Sequence, residues 1–333
     1  MPALLALAGA PAAAEPALAP AEIVAAAPAA DWVAIAPDDL LVMDLAPDAA
    51  NRPRRVVIQL VPAPLAPGWT DNVRQLAAAH WWDGLSINRV QDNYVVQWGD
   101  GEGEDKAKAR PLPRGLGPTR QADYAARWSP GLVPWVLSPV GQIPPEIGAI
   151  APAAPGAITA PVTDAFAAAV SFLGGFPVGL AYSPRGENPF APQVPEQVWP
   201  IHCYGSVGVG RDMPPDAGTG AELYAVIGTP PRHLDRNIAV VGRVIEGIEH
   251  LSSLPRGTGP LGFYQNPGER TGIRSIRLGG EVPGLPRYQF LSTESASFAR
   301  YVEARANRRD GFFVKPAGGV DICNLPVPVR RAP

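Results

Sequence analysis

The sequence contains little of what builds metal centres or disulfide-rich scaffolds. Its 333 residues include only four histidines and two cysteines, and the histidines stand too far apart to form a local pair of metal ligands. We therefore expect neither a metal ion nor another cofactor. Cys203 and Cys323 do not make a disulfide scaffold, but they could form one bridge.

The sequence also lacks a large net charge and long apolar runs. It has 28 Lys and Arg against 31 Asp and Glu, a formal net charge of −3, so no global basic field would attract nucleic acid or acidic lipid. No window beyond the N-terminus offers the roughly 18 uninterrupted apolar residues of a transmembrane helix. We expect no nucleic-acid partner and no membrane span.

Proline and glycine are, by contrast, abundant. The 41 prolines and 35 glycines are each about twice as frequent as in an average protein, which argues against an all-helical bundle. Hydrophobic residues make up 46% of the chain and charged residues 18%, a composition that excludes a wholly disordered protein.

The N-terminal residues have features of a secretory signal. Residues 1–14 are uncharged and apolar, and three alanines precede Glu15 like a cleavage site, although a positively charged first segment is missing. The alternative interpretation is a disordered Ala/Pro tail. We expect a signal peptide over 1–14, an unfolded Ala/Pro-rich tether over 15–30, and a periplasmic or exported protein.

Short runs rich in Val, Ile and Leu predict many strands and few helices. The predicted strands are 40–45, 55–61, 85–90, 94–98, 206–209, 223–227, 238–243 and 273–278. The predicted helices are 71–82 with Thr70 or Asp71 as its cap, 165–173, 246–254 and 292–309. This pattern favours a barrel or a sandwich.

Two segments lie outside this regular pattern. Residues 101–204 contain 17 prolines in 104 residues, which predicts either a covering excursion with short helical pieces or a partly mobile segment. The tail 286–333 contains an amphipathic helix with Phe298, Tyr301 and Val302 on one side. We expect that helix to pack on the barrel; the alternative is that the tail, with a net charge of +4, binds an acidic surface.

Arg89 and Gln97 stand in otherwise apolar predicted strands. An arginine on such a strand is costly to bury without a partner. We therefore expect Arg89 at a strand end on the rim or beside a polar group such as Gln97. The alternative is a structural arginine that hydrogen-bonds a neighbouring loop.

Five motifs in the same order resemble those of the cyclophilin-type peptidyl-prolyl isomerases. Residues 87–90 resemble Phe-His-Arg-Val, and 94–100 resemble Phe-Met-x-Gln-Gly-Gly-Asp. Residues 220–224 stand where the family has Gly-Ser-Gln-Phe-Phe, and 233–235 where it has Trp-Leu-Asp. Residues 240–247 are similar to Val-Phe-Gly-Lys-Val-x-x-Gly. The chain resembles a divergent, exported bacterial member of proteobacterial type.

The resemblance implies a mainly β fold. It predicts a closed antiparallel barrel of eight strands, capped by two helices, as a cyclophilin-like domain over 31–285. The insertion 101–204 is far longer than the family loop at that place, and the C-terminal helical extension over 286–333 has no counterpart in compact cyclophilins. Cys203 and Cys323 would then join the extension to the barrel.

The resemblance also implies an activity, the isomerisation of X–Pro bonds during the folding of exported proteins. Arg89 would stabilise the twisted amide, and Gln97 would orient Arg89 or hold the substrate backbone. Proline-containing polypeptides would be the substrates. The implied substrate-binding residues are Tyr94, Val95, Glu222, Tyr224 and Leu234.

Four residues depart from the family pattern at the implied pocket. Asn88, Glu222, His233 and Ile238 stand where the family has His, Gln, Trp and His. Glu222 could pair with Arg89 or bind a substrate amide. The alternative function is a catalytically degenerate module that docks proline-containing segments of an envelope partner, and a further hypothesis makes 101–204 a lid over the slot.

Overall fold

The computed structural model describes residues 17–132, 162–183 and 194–333. In these ranges the helices are α1 (Pro20–Ala25), α2 (Pro67–Ala78), α3 (Glu249–Ser252) and α4 (Ala296–Ala306). The strands are β1 (Trp32–Ala34), β2 (Leu40–Leu45), β3 (Arg54–Leu60), β4 (Ser86–Val90), β5 (Val95–Gly99), β6 (Ala126–Arg127), β7 (Val162–Thr163), β8 (Ala169–Leu173), β9 (Phe176–Tyr182), β10 (Pro195–Pro200), β11 (Ser206–Val209), β12 (Leu223–Val226), β13 (Val240–Glu246), β14 (Thr271–Leu278), β15 (Tyr288–Leu291), β16 (Val320–Asp321) and β17 (Val329–Arg331).

Eight strands close into an antiparallel barrel in the order β11-β12-β5-β4-β14-β2-β3-β13. In the β2–β3 pair, Leu41 lies opposite Ile58 and Met43 opposite Val56, and all four side chains are buried in the barrel interior. Alternate residues along each strand point to the same face, so this apolar alternation fills the barrel. The predicted eight-stranded barrel is confirmed.

Helices α2 and α3 contribute to this barrel core. Trp69, Val73 and Leu76 lie on one face of α2 and are fully buried, as is Leu251 of α3. Helix α2 begins at Pro67, whose fixed φ suits the first helical turn, so the predicted start near Asp71 was wrong. The hydroxyl of Thr70 is used inside the helix, where it donates to the carbonyl of Pro67 at 3.0 Å.

The described part of the insertion forms a four-stranded sheet in the order β6-β10-β9-β8. The insertion also contains one of the expected short helical pieces, a 3-10 helix over Gln121–Tyr124. The helix predicted over 165–173 is wrong because Ala169–Leu173 is a strand. Val170 and Phe172, two residues apart, face one apolar core, whereas Ala169 and Leu173 on the opposite face of the strand contact the barrel core. Such alternation has the period of a strand and not of a helix.

A second buried cluster, the outer core, lies against the barrel wall and includes Ile23, Val57, Phe172 and Phe298. Helix α1 packs on α4 within it. The segment 15–30 is therefore not an unfolded tether over its described part, a correction that follows from the burial of Ile23. The predicted signal peptide, 1–14, lies outside the described residues.

The C-terminal extension is more than helical. Phe298, Tyr301 and Val302 are buried on one face of α4, as predicted. In addition β15 pairs with both β1 and β17, so the two ends of the chain share one sheet. No helix in the described ranges is long and apolar enough to cross a bilayer.

A disulfide joins Cys203, at the end of the insertion, to Cys323 in the extension, with an S–S distance of 2.06 Å. The two residues are 120 positions apart in sequence. The bridge that the cysteine count left open is thus present, and it ties the extension to the loop between β10 and β11.

Candidate active site

Arg89 and Gln97 are cross-strand neighbours on the outer surface of the barrel. They face each other in the β4–β5 pair, next to a shift in register between Ile87 and Arg89. Such a bulge adds a residue to one strand and re-aims its side chains. Nη1 of Arg89 donates to Oε1 of Gln97 at 3.3 Å, so the sequence prediction that these residues lie together agrees with the geometry.

The Arg89 guanidinium is held by neutral groups. Its Nε donates to the carbonyl of Leu261 at 2.7 Å, and its Nη2 donates to the side-chain oxygen of Gln91. It also lies over the rings of Tyr94 and Phe263, 5.6 and 5.2 Å from their centroids. Arg89 therefore lies beside Gln97 and also hydrogen-bonds a neighbouring loop. Partial burial lowers the pKa of its guanidinium.

An apolar cluster adjoins this arginine. Val95, Tyr224 and Val226 are buried together, and the partly exposed side chains of Tyr94, Leu234 and Ile238 pack against them. Strand pairing causes this juxtaposition, because Val95 lies opposite Val226 and Gln97 opposite Tyr224. The structure thus brings together four of the five predicted substrate-binding residues and adds Val226 and Ile238.

Gly208 makes room for the Tyr224 ring. A Cβ atom at Gly208 would lie 2.3 Å from the phenol carbon and oxygen of Tyr224, a distance that no side chain tolerates. The glycine-containing strand 206–209 is therefore shaped by close packing beneath the cluster.

Glu222, the fifth predicted residue, does not pair with Arg89. Its Oε1 accepts from the backbone N–H of Asp100 at 2.6 Å, and its carboxylate is hydrogen-bonded by the Gln97 side chain. Burial raises the pKa of Glu222 to about 7. Gln97 therefore lies between the two charges, with its oxygen toward Arg89 and its nitrogen toward Glu222.

A buried chain of hydrogen bonds supports Tyr224 from behind. Nε2 of His202 lies 2.8 Å from the Tyr224 hydroxyl, and Nδ1 lies 2.8 Å from Oδ1 of Asp235. A neutral imidazole can accept from the phenol at Nε2 and donate to the carboxylate from Nδ1. Oδ2 of Asp235 accepts from Nε of Arg232 at 2.7 Å, and Arg232 also bonds Asp164 of the insertion.

Sequence reasoning missed this chain. His202 is completely buried, yet it is 22 residues from Tyr224 and 33 from Asp235, so no local motif reveals the contact. Although burial opposes it, hydrogen bonds from His202 and the charge of Arg232 lower the pKa of Asp235.

The other departures from the family pattern have separate places. Asn88 is buried and donates to the carbonyl of Gly99 at 3.1 Å while accepting from Ser86 at 2.6 Å, so its amide is used within the sheet. His233 is exposed. The lid hypothesis concerns residues 101–204, of which 133–161 and 184–193 lie outside the described residues, and it stays a prediction.

Comparison with known proteins gives the family and the fold. Residues 49–277 match the family described as cyclophilin type peptidyl-prolyl cis-trans isomerase/CLD. The crystal structure of cyclophilin AquaCyp293 from Hirschia baltica is similar, with a TM-score of 0.59 at 18% identity over 91% of this chain and 94% of that one. A cyclophilin-type isomerase from Cryptosporidium parvum matches at a TM-score of 0.37 and 10% identity, over 72% of this chain and 96% of that one.

No curated protein matches the sequence. The family match nevertheless spans more than two thirds of the chain and includes β3 to β5, β11 to β13 and the Arg89 site. The closed barrel and its fold-level likeness to a bacterial cyclophilin agree with that match. The chain therefore belongs to the cyclophilin-type peptidyl-prolyl cis-trans isomerases.

Proposed function

We propose that this protein isomerises X–Pro bonds in exported polypeptides and assists their folding, with Arg89 as the group that stabilises the twisted amide. The uncatalysed barrier is about 18–20 kcal/mol because rotation breaks amide resonance. Lowering it requires an apolar slot for the proline ring and a fixed donor for the amide. It requires no nucleophile and no net proton transfer.

The main support for the proposal is that the positive charge of Arg89 has no counter-charge. Within the described residues its guanidinium has no carboxylate partner, and it bonds only the neutral oxygens of Leu261, Gln97 and Gln91. When the amide twists, the lone pair localises on the proline nitrogen and the substrate backbone becomes a better acceptor. A guanidinium that is already oriented and uncompensated stabilises that state without reorganising.

The neighbouring apolar cluster supplies the slot. Val95 and Tyr224 form its buried floor, and Tyr94, Leu234 and Ile238 form its partly exposed edge. Gln97 on β5 lies opposite Arg89 on β4 and opposite Tyr224 on β12. A proline ring held against Tyr224 is therefore close to the Arg89 guanidinium. Gln97 accordingly serves as a positioning residue for the guanidinium.

Two observations support export. Disulfides persist in oxidising compartments, and Cys203 is bridged to Cys323. The apolar segment 1–14 has the composition of a signal peptide. Exported chains rich in proline are therefore the substrates that we propose.

The test is the exchange rate of a short X–Pro peptide, measured by NMR with the wild type and Arg89→Ala. Uncatalysed exchange takes tens of seconds or longer, so weak catalysis is measurable. We expect the variant to lose about 100-fold or more of the activity, since it lacks one preorganised donor. Arg52→Ala is the control, because Arg52 is exposed and paired with Asp48.

Two results would contradict the proposal. An Arg89→Ala protein that isomerises the peptide as fast as the wild type would remove Arg89 from the mechanism. A wild type that shifts the peptide resonances without accelerating exchange would instead identify a docking module.

A further inference from the structure

A second cleft lies between the barrel and the C-terminal extension. Its volume is about 420 Å³, and none of the residues of the Arg89 site lines it. The barrel supplies Arg243, Val244 and Ile245 of β13, and the insertion supplies the start of β9. The bridged Cys203 and Cys323, together with residues 325–329, close the opposite side.

The lining is mostly apolar, with the hydroxyl groups of Ser206 and two tyrosines in it, and it carries a single charge. Phe176, Tyr204, Tyr301 and Val327 are among the lining residues, and Arg243 is the one charged residue in the part of the lining that the structure describes. No carboxylate lines the cleft within those residues. The cleft therefore combines an apolar surface with a single positive charge.

Arg243 has only a neutral partner. Its Nε and Nη2 both donate to Oε1 of Gln59, at 3.0 and 2.8 Å, and its guanidinium lies over the Phe176 ring, 4.8 Å from the centroid. Nη1 makes no hydrogen bond to any described residue. Burial lowers the pKa of Arg243 to about 9, which reflects how poorly the charge is compensated.

Two other arginines, one on β3 and one that reaches β13 from β17, are compensated. Arg331 is 2.6 Å from the carboxylate of Glu246, and Arg55 is 2.8 Å from that of Asp44. Arg243 is half-buried, and a charge withdrawn from water without a counter-charge is unfavourable. An anion in the cleft would remove that penalty at Arg243 alone among these three.

We propose that this cleft binds a small apolar carboxylic acid, with the carboxylate on Arg243 and the apolar part along Phe176, Tyr301 and Val327. The volume lies within the range of about 300–1,000 Å³ that is typical of small-molecule sites. A single cation in an apolar lining suits one carboxylate and disfavours phosphates and polyanions. The proposal concerns a different surface from the Arg89 site and does not depend on isomerase activity.

Octanoate and octan-1-ol are the matched probes, because they differ only in the charged end. In a ¹H–¹⁵N NMR titration of the full chain, octanoate should give saturable shifts at Tyr204, Val244 and Val329. Octan-1-ol should bind at least about tenfold more weakly, since a charged hydrogen bond is lost. Inhibition of peptide isomerisation is not expected.

The matched variants are Arg243→Met and Arg330→Met. The first removes the charge from the cleft and keeps most of the apolar part of the side chain. Octanoate should therefore bind at least about tenfold more weakly, and the affinity for octan-1-ol should stay unchanged. The second removes the same charge from Arg330, which bonds Gln289 and lies on Trp32 outside the cleft, and octanoate affinity should stay unchanged.

Any of three results would overturn the proposal. One is equal affinity of the wild type for the acid and the alcohol, a comparison that needs no variant. Another is undiminished octanoate binding by a folded Arg243→Met. The third is the absence of saturable shifts with octanoate.

Discussion

Arg89 and Glu222 lie on the same face of the barrel, yet their charges do not meet. Gln97 separates them, since its amide oxygen accepts from Arg89 and its side chain also interacts with the Glu222 carboxylate. An ion pair would have reduced the field that Arg89 exerts on a substrate. At the residue scale, the neutral spacer therefore leaves the guanidinium available to an amide.

Glu222→Gln should stabilise the protein in a pH-dependent way. Burial raises the pKa of Glu222 to about 7, so the folded protein keeps a proton that the unfolded chain releases from its ordinary value of 4.5. The contribution of the Glu222 proton to the free energy of unfolding is thus fully present below pH 4.5, and it is lost as the pH rises through 7. The gain in stability of the variant over the wild type should be about 2–3 kcal/mol larger at pH 8 than at pH 5, since one pKa unit corresponds to about 1.4 kcal/mol.

Urea unfolding of both proteins at the two pH values measures this difference. Glu104→Gln is the control, because Glu104 is an exposed carboxylate in the loop after β5 and its replacement should have no such pH dependence. An equal gain at pH 5 and pH 8 would show that ionisation of Glu222 is not the cause.

At the scale of elements, the end of the insertion supports the slot. His202 follows β10 and joins Tyr224 of β12 to Asp235 of the loop before β13. Removing either partner of a buried hydrogen bond leaves the other unsatisfied. The position of the Tyr224 ring therefore depends on the last residues of the insertion.

A double-mutant cycle tests this support. His202→Ala and Tyr224→Phe should each destabilise the fold, and their effects should be coupled by about 1–2 kcal/mol because they remove the same hydrogen bond. The free energy of unfolding of the four proteins gives the coupling. The pair His202→Ala and Tyr94→Phe should be additive, since no hydrogen bond links those residues; additivity of the first pair would contradict the contact.

Local pattern predicted the barrel strands but not every element. The strands around Val56 and Val96 were predictable, because apolar runs bounded by turn residues indicate them. Residues 165–173 contain four alanines, a composition that favours a helix, yet Val170 and Phe172 need a strand to reach the outer core. Tertiary burial there overrides local propensity.

The site was predictable only as far as its motifs extend. Arg89, Gln97 and the slot residues lie in segments that resemble known motifs, whereas His202 and Leu261 reach the site from distant parts of the chain. Loop contacts of that kind depend on how the insertion folds. Periodicity and spacing carry no information about them.

At the scale of the whole molecule, the disulfide should contribute strongly to stability. It closes a span of 120 residues, and a native bridge of this kind typically contributes about 2–5 kcal/mol. Cys323→Ser should lower the free energy of unfolding by that amount, and a reductant should have the same effect on the wild type. Urea unfolding with and without reductant checks both expectations.

The same bridge tests the proposed location. Protein purified from the periplasm should contain no titratable thiol until it is reduced and unfolded, and its first residue should lie near Glu15. Two titratable thiols in the native protein, or wild-type unfolding that a reductant leaves unchanged, would contradict the bridge.

The sheet shared by the two chain ends has a consequence for synthesis. Trp32 of β1 is buried next to β15 and under Arg330, so a nascent chain must grow past residue 330 before this tryptophan is covered. The barrel, whose last strand ends at Leu278, can close before that residue emerges. A polypeptide cut short between these points would hold a complete barrel with the apolar faces of α1 and β1 open to aggregation.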